Sequence, residues 1–241
     1  MKSFLTWLFV ALVPCIAHSQ VKINKVYPAK KGQAVSFKFD YPKTVRVSNW
    51  DKNEISVEAS IIVDGVNADE VFSLTKSESS AQILIENQIN MAKVPKRFYA
   101  FENGVKVLFK TREELNAFLK EKGKAITANY ESSDIEVVIE IKLPANTNTH
   151  VTSVYGLVEV TGFEGPIKVD ATYGGIDARL SQSVVGKLTM TNRFGKIYTD
   201  FKLKPEEVKE RQFFTAINTG TGKGANYDFN SSYGNIYLRN Q

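Results

Sequence analysis

The feature that most constrains this chain is a short phrase recurring between Ser153 and Leu238: a glycine, any residue, an apolar residue, a polar residue and an apolar residue. It reads Gly156-Leu-Val-Glu-Val160, Gly165-Pro-Ile-Lys-Val169 and Gly174-Gly-Ile-Asp-Ala178. It returns as Gly186-Lys-Leu-Thr-Met190, Gly195-Lys-Ile-Tyr-Thr199 and Gly234-Asn-Ile-Tyr-Leu238. Ala225-Asn-Tyr-Asp-Phe229 is a weaker copy with alanine for glycine. Alternation of this kind has period two, so the two apolar residues share one face of a sheet and the polar one faces away. Five residues are too few for an amphipathic helix, whose usual length is about 11 residues.

Strands this short cannot each bury a face alone, but stacked copies can, which is the logic of a solenoid. Glycine at a fixed place before each strand marks a corner that needs a positive φ or a close backbone approach. An aromatic residue precedes the glycine in alternate copies of the regular part, at Tyr155, Tyr173 and Phe194, and again at Tyr233. One coil is therefore two strands and two corners, about 18 to 21 residues. The expected fold is all-β, a single-stranded β-helix or β-solenoid of short stacked strands; the competing reading is an antiparallel meander with glycine turns. The four aromatics form either an exposed ligand-contact row or a structural ladder filling one hole in each coil, and their coupling to glycine favours the second.

The chain starts with the signs of an export leader. Lys2 supplies a positive charge, Phe4 to Val13 is an apolar run, and Ala17-His-Ser19 places small residues for cleavage before Gln20. Residues 1–19 are read as a signal peptide and 20–241 as one β-solenoid domain. The run is too short for a transmembrane helix, and no later stretch approaches about 18 apolar residues. Cys15, the sole cysteine, lies in the leader, and Pro14 before it argues against lipidation. The mature chain would then carry no disulfide and no thiolate metal site. Its stability would rest on buried apolar area, for which its length is ample.

Upstream of the repeat, Val21 to Val26, Ala34 to Phe39, Thr44 to Val47, Glu54 to Ile62, Val71 to Leu74 and Ala81 to Glu86 read as strands, broken by Tyr41-Pro42, Asn49 to Asn53 and Asp64-Gly65. Ile135 to Leu143 alternates strongly. Residues 91–130 differ and read as an insertion. Phe98 to Phe101 and Val105 to Phe109 suggest a hairpin about Asn103-Gly104. Thr111-Arg-Glu-Glu114 is a capping box opening a helix near residues 111–122, ended by Gly123. Lys202 to Gln212 reads as a charged loop or one helical turn. Trp50 reads as a ring packed over the end of the core rather than an exposed binding aromatic.

After leader removal His150 is the only histidine, read as a loop residue. A Ser-His-Asp triad could run only through it, and a histidine-rich metal site is excluded. There is no Gly-x-Ser-x-Gly elbow and no Walker loop, and no helix follows Gly220-Thr-Gly222-Lys-Gly224 to make a phosphate site. Glu159, Asp177 and Asp228 fall at outward positions, where carboxylates serve solubility and edge protection. No catalytic residue, metal or cofactor is therefore expected. The +5 net charge becomes +4 without Lys2 and lacks the arginine-aromatic interleaving of nucleic-acid binders.

Ile135-Glu-Val-Val-Ile-Glu-Ile-Lys-Leu-Pro144, Ser153-Val-Tyr-Gly156 and the Tyr-Gly-x-Ile phrases together resemble the putative adhesin family, exported bacterial β-solenoid proteins common in Bacteroidetes-type bacteria. Val47-Ser-Asn-Trp-Asp51 and Glu54-Ile-Ser-Val57 resemble its N-terminal part, and the insertion departs from it. The resemblance implies fold and envelope location and carries over no site. The expectation is a non-catalytic exported binding or scaffold protein in the periplasm, on the outer surface or outside the cell, with an envelope protein or glycan as partner. A carbohydrate-binding module is the alternative, and a polysaccharide-cleaving enzyme comes behind it. The N-terminal strands or the insertion are expected to cover one end of the stack. The last strand near Leu238 is expected to be an open end through which copies could associate.

Overall fold

The computed structural model describes residues 20–63, 66–220 and 222–241; the expected leader with Cys15 and the turn expected at Asp64-Gly65 lie outside the described residues. Four strands come first: β1 (Gln20–Pro28), β2 (Ala34–Phe39), β3 (Thr44–Trp50) and β4 (Glu54–Val63). A one-turn helix, α1 (Ala68–Val71), leads into the hairpin of β5 (Phe72–Glu78) and β6 (Gln82–Ile89). Next come β7 (Lys96–Glu102), β8 (Val105–Phe109), α2 (Arg112–Lys122) and β9 (Ile126–Ser133). The remainder is strand after strand. These are β10 (Ile135–Pro144), β11 (Thr149–Ser153), β12 (Leu157–Thr161), β13 (Ile167–Ala171) and β14 (Ile176–Leu180). They continue as β15 (Val185–Arg193), β16 (Ile197–Thr199), β17 (Pro205–Arg211), β18 (Phe214–Thr219), β19 (Ala225–Ser231) and β20 (Ile236–Asn240).

Two large sheets share one core. One runs β1-β4-β10-β3-β12-β14-β20-β16 and the other β17-β18-β15-β19-β13-β11-β2-β6-β5. Five chain segments each give one strand to each sheet: β2–β3, β11–β12, β13–β14, β19–β20 and β15–β16. In both sheets they lie in that spatial order, and every contact between them is parallel. The alternation explains the core. Val158 and Val160, Ile176 and Ala178, and Ile236 and Leu238 point inward from one sheet, and Val169, Met190 and Phe229 from the other. The deepest phenol, Tyr227, donates from its hydroxyl to the Phe163 carbonyl at 2.7 Å, and burial pushes its pKa up to about 12.

The spatial order is not the chain order. The C-terminal pair β19–β20 sits between β13–β14 and β15–β16, so Leu238 is fully buried with strands on both sides. The expected open end at Leu238 is therefore wrong; the sheet ends instead at the three-residue β16. Of the N-terminal strands, β2–β3 is a full member of the parallel array, while β1 and β4 lie beyond β3 and β6 and β5 lie beyond β2, at the end where N-terminal strands are expected to cover the stack. The cause is simple: segments that carry the same phrase are interchangeable neighbours, and the phrase does not specify which lies beside which. Two smaller readings also change. Lys202 to Gln212 holds strand β17, whose proline, glutamates and lysine suit a sheet edge. His150 lies within β11.

Residues 96–133 form a third sheet, β8-β7-β9, with α2 on one face. It has its own small core of Phe98, Ala100 and Leu115, joined by Phe109, Phe118, Leu119 and Ile126. The hairpin turns at Asn103 and Gly104, both with positive φ, as a two-residue hairpin loop requires. The capping box is complete: the Glu114 N–H donates to Thr111 Oγ1 at 3.1 Å, and the Thr111 N–H donates to Glu114 Oε2 at 3.3 Å. Gly123 ends the helix at φ +52.

The corners between sheets are tighter than turns need to be. A Cβ added to Gly174 would overlap the carbonyl oxygen of Gly156, and one added to Gly156 would overlap the carbonyl of Pro42. Substitution Gly174→Ala is expected to destabilise by about 3 kcal/mol or more, lowering Tm by about 6 °C or more. Gly32→Ala, where space is open and only φ is unfavourable, is expected to cost about 1–2 kcal/mol. Thermal unfolding of the two variants checks this, and equal stabilities would refute the close-approach account.

Candidate functional site: an exposed aromatic column

The corner after each inner strand is built by one local pattern. Ser153-Val-Tyr-Gly156, Ala171-Thr-Tyr-Gly174, Ser231-Ser-Tyr-Gly234 and Asn192-Arg-Phe-Gly195 each place a small or polar residue two positions before the ring. That residue is buried, and where it is polar it ties down the corner. The single Ser231 Oγ–H lies within reach of the Gly174 and Gly234 carbonyls, at 3.1 and 2.9 Å, and Asn192 Nδ2 donates to the Gly234 carbonyl at 2.6 Å. Ser153 Oγ donates to the Tyr155 carbonyl at 2.6 Å. Parallel pairing also continues through the corner, since the Tyr173 N–H donates to Val154 and the Tyr233 N–H to Thr172. With backbone fixed this way and glycine allowing neighbouring corners to close up, the rings have one place to go.

They stack. Tyr41, Tyr155, Tyr173, Tyr233, Phe194 and Phe213 follow one another with centroid separations of 5.0, 5.0, 5.1, 5.1 and 5.5 Å and interplanar angles of 25° or less. All six lie outside the core, between 41% and 60% exposed. The structure thus brings Tyr155, Tyr173, Phe194 and Tyr233 together and places them on the surface rather than in a hole within each coil. Two members were missed. Tyr41 belongs to Phe39-Asp-Tyr41-Pro42, the same corner with buried proline in place of glycine, and the proline made it read as a strand break. Phe213 sits at the tip of the β17–β18 hairpin and reaches the column only through the fold.

Phe194 and Phe213 carry positive φ values of +56° and +58°. A phenylalanine is unfavourable in that region, where glycine or asparagine is the usual residue. The rings extend the column by two, and Phe194 also donates its N–H to the Phe213 carbonyl at 3.1 Å. Each stacked pair is worth about 0.5–1.5 kcal/mol.

The column's geometry also limits its chemistry. Every interior ring has a neighbour over both faces, so it offers edges and, for the tyrosines, hydroxyls. Among the described residues none of the four tyrosine hydroxyls in the column has a hydrogen-bond partner. A sugar ring stacking on an aromatic needs a free face, which only the two terminal rings have.

The remaining candidates are tied into the surface. Glu159 and Asp177 are neighbours in register on the outer face of one sheet. Arg46 Nε donates to Glu159 at 2.8 Å and Arg239 Nη1 to Asp177 at 2.8 Å. They stand side by side on one face, not across a cleft as glycoside hydrolysis requires. Asp228 accepts from Asn230 at 3.0 Å. His150 Nε2 lies 2.7 Å from Asp170 Oδ2 and 3.5 Å from Thr152 Oγ1. Both contacts fall on the same ring nitrogen, whereas a relay needs the carboxylate on one nitrogen and the nucleophile on the other. Burial works to raise the Asp170 pKa, but hydrogen bonds from His150 and Lys168 outweigh it and hold the group below its usual range. Trp50 is half-buried, with its indole N–H on the Glu54 carbonyl at 2.7 Å and Lys52 over its ring. Among the described residues no group of three or more acidic, histidine or cysteine side chains is placed to hold a metal.

No family model matches this chain, and no curated protein matches its sequence. Among solved structures it is similar to a putative cell adhesion protein from Clostridium sporogenes ATCC 15579, at 7% identity and a TM-score of 0.48, over 92% of this chain and 100% of that one. It is also similar to a putative adhesin from Bacteroides fragilis NCTC 9343, at 10% identity and a TM-score of 0.25, over 93% of this chain and 99% of that one.

If the column stabilises the corners, an interior ring should matter more than a terminal one. Tyr173→Ala, which loses two stacking partners, is expected to cost about 1–3 kcal/mol, and Phe213→Ala, which loses one, about 1 kcal/mol or less. Removing the positive φ of a bulky residue offsets part of the second loss. Denaturant unfolding measures both, and a larger effect at Phe213 would contradict this ordering.

Proposed function

We propose that this chain is a β-solenoid acting as a non-catalytic binding or scaffold module of the bacterial cell envelope or surface, exported by its leader. The five two-strand segments, stacked in parallel in both sheets, are its coils. The observation that carries the functional reading is the six-ring column: a rigid, exposed, regularly spaced aromatic edge held by backbone rather than by flexible loops. Exposed aromatics set on rigid elements give contact area at low cost in conformational entropy. The arginine pairing of Glu159 and Asp177, and the shared nitrogen of His150, support a role without catalysis. Among the described residues no helix is long and apolar enough to cross a membrane. The natural partner of such an edge is an envelope or surface protein, because the covered ring faces leave little for a sugar to stack on.

The test uses the purified chain from residue 20, immobilised and exposed to solubilised envelope proteins, beside the double variant Tyr173→Ser/Tyr233→Ser. A defined envelope protein captured by the wild type and lost at least about ten-fold in the variant is the expected result. Capture unaffected by the variant would remove the column from the reading, and turnover of a polysaccharide by the wild type would refute the non-catalytic role.

A further inference from the structure

The chain's charge is not evenly distributed. Residues 89–130 hold nine Lys and Arg against four Glu and no Asp, a surplus of five, while the whole chain carries +5. Everything else is balanced. The net positive charge of the protein therefore resides in the segment that builds most of the small sheet.

That sheet has one covered face and one bare face. Phe98 and Ala100 point to α2, so Tyr99 and Phe101 of β7, Lys106 and Leu108 of β8 and Tyr130 of β9 share the opposite face through direct pairing. Leu108 and Tyr130 are 53% and 41% exposed. The Lys106 ammonium lies 3.9 Å from the centroid of Tyr99 and 5.4 Å from that of Tyr130. Tyr130 stacks with Tyr99 at 4.9 Å and contacts Phe101 at 6.1 Å. Both of these partners are on β7, and β9 is the sheet's edge. Among the described residues Tyr130 has no ring partner on the side away from β7, unlike the interior rings of the long column.

We propose that this bare face is a docking surface for an acidic polysaccharide, with the open face of Tyr130 against a sugar ring and the Lys106 ammonium against a uronate carboxylate. Charge selects the occupant. A second copy docking through the same patch would bring two net-positive segments together and set Lys106 against like charge, which is costly across an interface. An acidic protein would anchor side chains in pockets, and the cavities at residues 29–35 with 144–148, at 182–188 with 201–206, at Arg46 with Glu140 and Glu159, and at 197–200 with 237–239 all lie on the two large sheets, away from these residues. A nucleic acid has a phosphate at every residue and calls for a row of cations along its path. Here Arg97, on the same face, is held by Asp134 at 2.6 Å, leaving Lys106 as the cation among the rings. One cation beside a flat aromatic patch matches a chain whose carboxylates are sparse and whose sugar rings present C–H faces. This inference does not depend on the partner assigned to the long column.

Affinity electrophoresis of the chain from residue 20 through gels containing polygalacturonate, or dextran as a neutral control, tests it. Retardation by polygalacturonate alone, weakened by added salt, is expected. Tyr130→Ser and Lys106→Gln, both at the surface, should each weaken it about five- to ten-fold with unchanged circular dichroism, while Tyr173→Ser in the column leaves it intact. Equal retardation by dextran, full binding by both variants, or loss in Tyr173→Ser alone would each overturn the proposal; the last would place glycan binding on the column. Competition by single-stranded DNA at lower charge concentration than polygalacturonate would overturn the choice of polymer.

Discussion

The structure depends on how closely backbone can approach backbone at the corners. Adjacent strands of a parallel array lie about 4.8 Å apart, and at the corner the carbonyl of one segment occupies the space that a side chain of the next would need. Glycine at 156, 174, 195 and 234 keeps that space empty. Once the corners close, the residue before each glycine is carried into register with its counterpart, and a planar ring is well suited to a spacing near 5 Å. The aromatic column follows from the glycine column. It is an output of the backbone geometry as much as a feature in its own right.

This explains why the rings are outside. A buried ladder would need a cavity at each corner, and the corners have no room for one; the small and polar residues two positions upstream fill the interior instead. Ser153, Ser231 and Asn192 hydrogen-bond the carbonyls of Tyr155, Gly174 and Gly234 at those corners. The coupling of aromatic to glycine in the sequence is real, but it reports register rather than burial.

Much of the architecture was legible. Period-two alternation located the strands from Ala34 to Ile62 and from Ile135 onward, the capping box located α2, and Asn103-Gly104 located its hairpin. Four of the six column residues were found from their place before a glycine. What escaped is what local pattern does not encode. The order of the two-strand segments depends on pairing between segments of equal phrase, so the seat of β19–β20 inside the array could not be read from Gly234-Asn-Ile-Tyr-Leu238. Tyr41 was hidden by the proline after it, and Phe213 by a hairpin that read as a charged loop. The small sheet's bare face was hidden for another reason: the insertion read as a helix and a hairpin, and β9, which carries Tyr130, was not anticipated.

The seat of the C-terminal pair is the most direct point at which to test this account, because both columns pass through it: Gly234 and Tyr233 are members only if β20 lies between β14 and β16. Hydrogen exchange of the backbone amides across residues 236–240, compared with 176–180 in the same protein, is the measurement. The account predicts that the two segments exchange at similar, slow rates, with both slower than the edge strand β17. Rapid exchange at 236–240 beside slow exchange at 176–180 would put the last strand at an open end and break the order of segments on which the aromatic column rests.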